Sequence, residues 1–374
     1  MAGNKKMAGG PRRALGMLLA ASAWAGAVHA EEASLQLYGV VDAAVSSTHV
    51  SGGGESSGTR NGILSGGQTD SLWGLRVSEP LGNGWQVNAG LESGFDAGNG
   101  QSNNPGQLFD YGSWVGLASD RLGEVRLGRQ STIAMSYGNA LEVASWREMG
   151  MGALFKASDN YRRDNLLNVY TPEWRGWQAG LGYAFDAAGP DGPSPQGRGH
   201  AWSAGLKYEA DPWLAVLTWD RLHPGAGSEA AGRAPTAWQA GLAYQAEDWK
   251  VSLAWSRQRD GFVGQDGGGI EGLGPLAFVQ GGQADAWLLG AELPVGAASA
   301  VLLQASLARP DWHWDNGQHA RTVQLYTLGW RQDLSARTSV YAFVGRLLNG
   351  TLDDTFTPEA TSTTRVAVGL THRF

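Results

Sequence analysis

Two lengths of connection alternate along this chain, and nothing else in it restricts the fold as strongly. Short polar turns fall at residues 80–84, 119–123, 173–176, 210–212, 246–248, 294–298 and 333–336. Longer segments rich in Gly, Ser and Asp fall at 48–68, 95–107, 131–161, 187–199, 223–235, 261–282, 311–319 and 349–362. Seven short and eight long connections separate sixteen strands. An even strand count, with short turns at one rim and long loops at the other, is the pattern of an antiparallel barrel closed within a membrane. Both termini then lie at the short-turn rim.

The strands carry the matching polarity. In "WQVNAGLESG", Trp85, Val87, Ala89 and Leu91 alternate with Gln86, Asn88, Gly90 and Glu92, so one face is apolar and the other polar. The same alternation sets Trp249, Val251, Leu253 and Trp255 against Lys250, Ser252 and Ser256, and Trp177, Leu181, Tyr183 and Phe185 against Gln178 and Asp186. In a barrel, the apolar set faces lipid and the polar set a wet lumen. Closure pairs every backbone donor and acceptor inside the bilayer, where an unmade bond costs several kcal/mol. Glycine recurs inside these strands, a weak choice for a packed soluble sheet. A tandem of soluble β-sandwiches would also give many short strands. It accounts neither for the strict alternation of connection lengths nor for the tryptophans at the short turns. Trp85, Trp177, Trp213 and Trp249 each follow such a turn directly, and Trp174 lies within one. A ring of Trp at one level is what a bilayer interface selects.

The N-terminus indicates export. Lys5, Lys6, Arg12 and Arg13 precede the apolar run "ALGMLLAASAWAGAVHA", which ends in the small-residue pattern Val28-His29-Ala30. Residues 1–30 thus read as a cleaved signal peptide and 31–374 as the mature barrel. Cleavage removes four cations and no carboxylates, moving the net charge from −7 to −11. A net acidic chain without a basic block excludes nucleic acid as the expected partner. With no cysteine in the chain, neither a disulfide framework nor a thiolate metal site is expected. After residue 30 no uninterrupted apolar segment is long enough for a spanning helix.

Several stretches resemble the general porins of Gram-negative outer membranes, closest to the beta-proteobacterial branch. "SLQLYGVVDAAV" (residues 34–45) resembles the family's first strand, and "SLWGLRVSEPLGNGWQVNAGLESGF" (71–95) the second and third. "SWVGLASDRLGEVRLGRQ" (113–130) resembles the fourth and fifth strands, and "RDNLLNVYTPEWRGWQAGLGYAF" (163–185) the sixth and seventh. The ending "VAVGLTHRF" resembles the last strand, and its terminal Phe374 resembles the signal read by the barrel-assembly machinery. The likeness is strong to about residue 185 and at the C-terminus, and looser between. It implies an all-β, 16-stranded antiparallel transmembrane β-barrel with short periplasmic turns and long extracellular loops, assembled as a homotrimer. It also implies a water-filled channel for small hydrophilic solutes and ions, without enzymatic chemistry, cofactor or metal.

A barrel of sixteen strands is wide enough to hold an aqueous channel. In the family the third long loop folds inward and narrows it. Here that loop is 131–161, the longest of the eight, and "WREMGMG" (146–152) resembles its acidic, Gly-containing part. The resemblance places Glu148 at the acidic position, with Glu142 as the second candidate. The opposite wall is basic in the family. By parity Arg76 and Arg126 face the lumen, and one of Arg162 and Arg163 matches the basic position after the loop. Two positions where relatives often carry Arg are Leu72 and Tyr111 here, so the basic wall reads as thinner than usual and the resemblance alone does not set the ion preference. Opposed carboxylates and guanidiniums would set a transverse field across a narrow neck, focused by low-dielectric walls.

Other signals are weaker. "HWDNGQH" (313–319) holds two His and an Asp but no fixed ligand cage, and it reads as a polar surface loop. No nucleophile elbow or zincin motif is present. The function classes left open are a passive diffusion porin, a substrate-specific porin, a surface adhesin or receptor barrel, and an enzyme at the lipid-facing rim. Lipopolysaccharide is an expected neighbour, through divalent cations held by loop carboxylates.

Overall fold

The computed structural model describes residues 33–52, 57–146, 148–155, 162–185, 199–225, 232–246, 249–263, 279–350, 356 and 360–374. The proposed signal segment lies outside them. The first strands are β1 (Ser34–Ser51), β2 (Gly58–Ser65), β3 (Leu72–Gly82), β4 (Trp85–Gly94), β5 (Gly112–Ser119), β6 (Gly123–Ser131) and β7 (Arg162–Tyr170). They continue as β8 (Trp177–Ala184), β9 (His200–Ala210), β10 (Trp213–His223), β11 (Thr236–Ala246) and β12 (Trp249–Arg259). The last are β13 (Gln283–Gly296), β14 (Ser299–Pro310), β15 (Val323–Ser335), β16 (Thr338–Leu348) and β17 (Ser362–Arg373).

From β3 onward each strand pairs antiparallel with its successor, and β17 pairs back onto β1, with Val40 opposite Arg373 and Ser51 opposite Ser362. The free edge of β1 is covered twice: β2 pairs with its upper half and β3 with its lower half. The two are one stave of the barrel, interrupted at residues 66–71. The seventeen strands therefore form sixteen staves, the expected number, closed into a barrel. No described helix is long and apolar enough to cross a membrane, so the crossing elements are strands.

One boundary differs from the sequence reading. The segment 48–68 reads as a long loop, yet Val50 pairs with Gly58 and Val45 with Ile63 in a regular ladder. Its Ser, Thr, Arg and Asn residues contain no apolar alternation because this hairpin rises beyond the bilayer. There both faces meet water, and the backbone ladder needs no hydrophobic face.

Within the belt the outward residues are apolar. Leu206, Leu217, Leu242, Leu253 and Leu289 are exposed to the surroundings on neighbouring strands, as are Val366, Val368 and Leu370 on β17. Trp85, Trp177, Trp213 and Trp249 are also exposed, at the start of their strands. Tyr208 and Tyr244 join them at that rim, with Trp177–Tyr208, Trp213–Tyr244 and Tyr244–Trp249 ring centroids 4.9, 4.8 and 5.1 Å apart. Phe374 closes the lower seam: its N–H donates to the Gly39 carbonyl at 3.1 Å, and Gly39 N–H donates back to the Phe374 carbonyl at 3.2 Å. Leu217 lies mid-strand between Leu206 and Ala240. Leu217→Arg is expected to cost ~2–4 kcal/mol, measured by urea unfolding in phospholipid vesicles; an unchanged midpoint would reverse the facing assigned to β10.

Candidate functional site: the inward loop and the charged wall

β6 ends at Ser131 and β7 begins at Arg162, and the described residues between them, 132–146 and 148–155, turn into the lumen. Thr132 caps a short helix, α1 (Ile133–Gly138), by accepting from the Met135 N–H at 3.2 Å. A 3-10 turn at Asn139–Leu141 and another at Met151–Ala153 carry the loop onward. Ile133, Leu141, Met149, Leu154 and Phe155 are fully buried although they lie inside a barrel. Burying each such side chain contributes about 1.5–3 kcal/mol.

The surface that receives them is the glycine pattern of the strands. Ile133 sits over Gly180 and Gly205, where a Cβ would come within 2.9 Å of its side chain. Leu141 covers Gly241, Trp146 covers Gly329, and a Cβ at either would overlap the loop side chain. A Cβ on Gly345 would meet Met149 Sδ at 2.9 Å, and one on Gly290 would meet Val143 at 3.2 Å. Each of these glycines faces the lumen from β8, β9, β11, β13, β15 or β16. They are sockets for the loop, which explains why residues that weaken a strand recur there. Trp146 takes φ 54°, a left-handed conformation that is costly for a bulky residue. It does so to drop its ring into the Gly329 socket, 5.1 Å from the ring of Phe343.

Polar bonds fasten the same path. Lys250 Nζ donates to the Ala140 and Glu142 carbonyls at 2.7 and 2.8 Å. Thr327 donates to the Met149 carbonyl at 2.7 Å, and Gln258 to the Leu154 carbonyl at 2.8 Å. At the far end Ser145 donates through both N–H and hydroxyl to the Gln68 carbonyl, in the interruption between β2 and β3. That interruption is itself held by Asp42. Its carboxylate accepts from the N–H groups of Gly67, Gln68 and Thr69 and from the hydroxyls of Tyr341 and Thr371.

The two candidate acidic residues sit differently. Glu148 is exposed and pairs with Arg365 at 2.8 Å; Arg365 in turn donates to Thr48 at 3.0 Å. Glu142 turns back on its own loop, accepting from the Met151 N–H at 2.7 Å.

Three of the four candidate arginines meet on the wall the loop leaves open. Arg76 lies 5.0 Å from the Tyr38 ring centroid, Arg126 lies 4.4 Å from Trp114 and 5.2 Å from Tyr170, and Arg162 lies 3.9 Å from Tyr111. Arg126 also pairs with Glu124 at 2.7 Å. Arg76 and Arg126 share a polar recess of about 170 Å³ with Glu92, Gln130 and Ser136 of α1. Glu92 accepts from the Tyr38 hydroxyl at 2.7 Å. Burial pushes the Tyr111 hydroxyl well above its ordinary value, so it stays a neutral donor to Asp70 at 2.8 Å.

Arg163 is a correction. It is only 2% exposed and donates to the Val263 carbonyl at 2.9 Å, away from the open passage. Of the two adjacent arginines it is Arg162 that lies beside Tyr111; β6 and β7 slip register between Gly128 and Gln130 here, and Asn165 takes φ 52°. The sequence reading also omits Arg365, Lys250 and Asp42. Arg365 is legible in principle, since it shares parity with Ala367 and Gly369 rather than with the lipid-facing valines. Alternation puts Lys250 on the lumen face, but its role and that of Asp42 are hidden because their partners lie far away in the chain. His313 and His319 face each other with ring centroids 4.9 Å apart. Among the described residues no group of three or more His, Asp or Glu side chains could hold a metal ion.

A closed strand barrel with an apolar outer belt, and a loop seated inside a polar lumen, defines a transmembrane channel. The chain belongs to the Gram-negative porin family, whose model matches residues 14–352. It is 31% identical to an outer membrane porin protein of Bordetella pertussis, over 96% of this chain and 99% of that one. It is 29% identical to outer membrane porin protein 32 of Delftia acidovorans, over 88% of each chain. The solved structure of an anion-selective porin from Comamonas acidovorans is 25% identical and superposes with a TM-score of 0.69, covering 92% of this chain and all of that one. The protein is thus an outer-membrane channel for passive diffusion.

Proposed function

We propose that the channel passes small hydrophilic solutes with a preference for anions, and that Arg76, Arg126 and Arg162 form its selective wall. The observation that carries this reading is how those guanidiniums are held. Arg76 and Arg162 rest on tyrosine rings, and Arg126 lies between Trp114 and Tyr170. A ring fixes a guanidinium without neutralising it, so Arg76 and Arg162 keep a positive charge available to a passing solute, while Arg126 shares its charge with Glu124 at 2.7 Å. On the loop side the exposed carboxylate, Glu148, pairs with Arg365. The anion selectivity of the Comamonas relative supports the same sign. Transport needs only this field across a wet neck, with no bond made or broken and no enzymatic step.

The remaining roles belong to the same reading. Residues 1–30 direct export, residues 131–161 form the constriction, and Phe374 presents the signal for the barrel-assembly machinery. The mature chain works as a homotrimer in contact with lipopolysaccharide. In a planar bilayer under a potassium chloride gradient, the reversal potential should take the chloride-preferring sign. Replacing Arg76 and Arg126 together with Gln should move it toward the cation side. A cation-preferring wild type, or a double variant with an unmoved potential, would refute the assignment.

A further inference from the structure

Above the apolar belt, the outer face of β10–β14 carries a cluster of charged side chains beside Trp219 and Trp238. Register places the side chains in levels. Leu217, Ala240, Trp255, Trp287 and Leu307 share one level. One step toward the long-loop rim lie Trp219, Trp238, Arg257, Asp285 and Arg309. One step further lie Arg221, Thr236, Arg259 and Gln283, with Asp311 just beyond β14. Arg221, Arg257, Arg259 and Arg309 are all exposed. Directly below them is an open apolar groove of about 670 Å³, where Ala240 and Ala305 leave space between Leu242, Trp255, Trp287 and Tyr326.

Asp285 does not cancel this patch. It holds Arg257 by two bonds, at 2.8 and 3.1 Å, and accepts from Trp255 Nε1 at 3.2 Å, which fixes the guanidinium at the outer surface. On these outward levels, among the described residues, four arginines stand with two carboxylates, Asp285 and Asp311. Strands lie about 4.8 Å apart, so Arg257 and Arg309, two strands apart, span about 10 Å. An outward cation directly above an acyl-wide groove suits one chemistry: a lipid with hydrocarbon chains below and phosphate at the headgroup.

We propose that this face binds a phosphorylated glycolipid of the outer leaflet, with an acyl chain of its lipid A in the groove and its phosphates on Arg257 and Arg309. Charge complementarity and the position at the long-loop rim select that occupant. The proposal deepens the lipopolysaccharide contact stated above by locating it. It also changes its chemistry, from cation-bridged loop carboxylates to direct arginine–phosphate bonds.

The test uses the folded full-length mature barrel in detergent, with diphosphoryl lipid A and its dephosphorylated form as probes. Binding is read by native mass spectrometry with and without chelator. Diphosphoryl lipid A should bind at least tenfold more tightly than the dephosphorylated form, and chelator should leave the ratio intact. Arg257→Gln with Arg309→Gln should remove most of that preference. Ala305→Trp, which fills the groove, should weaken both probes. Conductance and reversal potential of the variants should match wild type, so a failure here is distinguishable from a failure of the anion-channel reading. Equal binding of the two probes overturns the proposal, as does loss in chelator. A groove-filling variant that changes subunit number without changing lipid binding also overturns it, by assigning the face to a second copy of the chain. The two-probe comparison on the wild type decides the charge question even if a variant does not fold.

Discussion

Replacing Gly329 with leucine should open the channel. The leucine side chain would occupy the socket that now holds the Trp146 ring. Overpacking a tight contact costs about 1–3 kcal/mol when the neighbours must absorb it, and the neighbour here is a loop with a simple escape. The barrel strand around Gly329 is tied on both sides, opposite Leu302 and Phe343, so the loop should yield rather than the wall. Single-channel conductance should rise, and the rise should persist in potassium chloride and in larger organic salts. Trp146→Gly added to Gly329→Leu removes the clash by shortening the knob, and should return conductance part of the way to wild type. If Gly329→Leu conducts like wild type, Trp146 does not hold the constriction.

The second large effect is expected at Asp42. It is fully buried, and its carboxylate gathers three backbone N–H groups and two hydroxyls from three separate parts of the chain. Hydrogen bonds to a charged group contribute about 1.5–3 kcal/mol each, and buried donors left without a partner add a desolvation cost. Asp42→Ala removes both acceptor oxygens, and the five hydrogen bonds they receive, at once and should destabilise the barrel by about 3 kcal/mol or more. Asp42→Asn keeps one acceptor oxygen and should lose less. The measurement is the temperature at which the folded band converts to the unfolded one on semi-native gels. Because residues 66–71 also anchor Ser145, conductance of surviving Asp42→Ala barrels should be noisier. An unchanged conversion temperature would mean that backbone pairing between β1 and β17 closes the seam unaided.

Much of this architecture is legible in the residues. Strand number follows from the alternation of turns and loops. The lipid face follows from runs such as Val366, Val368, Leu370, and the lower rim from Trp85, Trp177, Trp213 and Trp249. These signals survive because they are local: each strand must satisfy lipid on one side and water on the other, independently of its neighbours. The site is less legible because its parts meet only in space. Arg163 reads like Arg162 in the chain, and only the structure separates the one beside Tyr111 from the one buried against the Val263 carbonyl. Trp146, Leu141 and Met149 look like ordinary loop residues, and Gly241 or Gly329 like a defect in a strand, until each is seen filling the other. Glu148 can be picked out in the chain, but its partner Arg365 lies 217 residues away.

The sockets have a further consequence for biogenesis. All six lie on strands that leave the ribosome after the loop they receive, and the last, at Gly345, is only 29 residues from the C-terminus. The first part of the loop finds its seats at Gly180, Gly205 and Gly241, but Trp146 and Met149 have none until nearly the whole chain has been delivered to the membrane. Narrowing of the passage is a late event, tied to completion of the wall. A barrel stalled before β15 lacks the seats for Trp146 and Met149, so the second half of its loop stays unseated with those side chains uncovered.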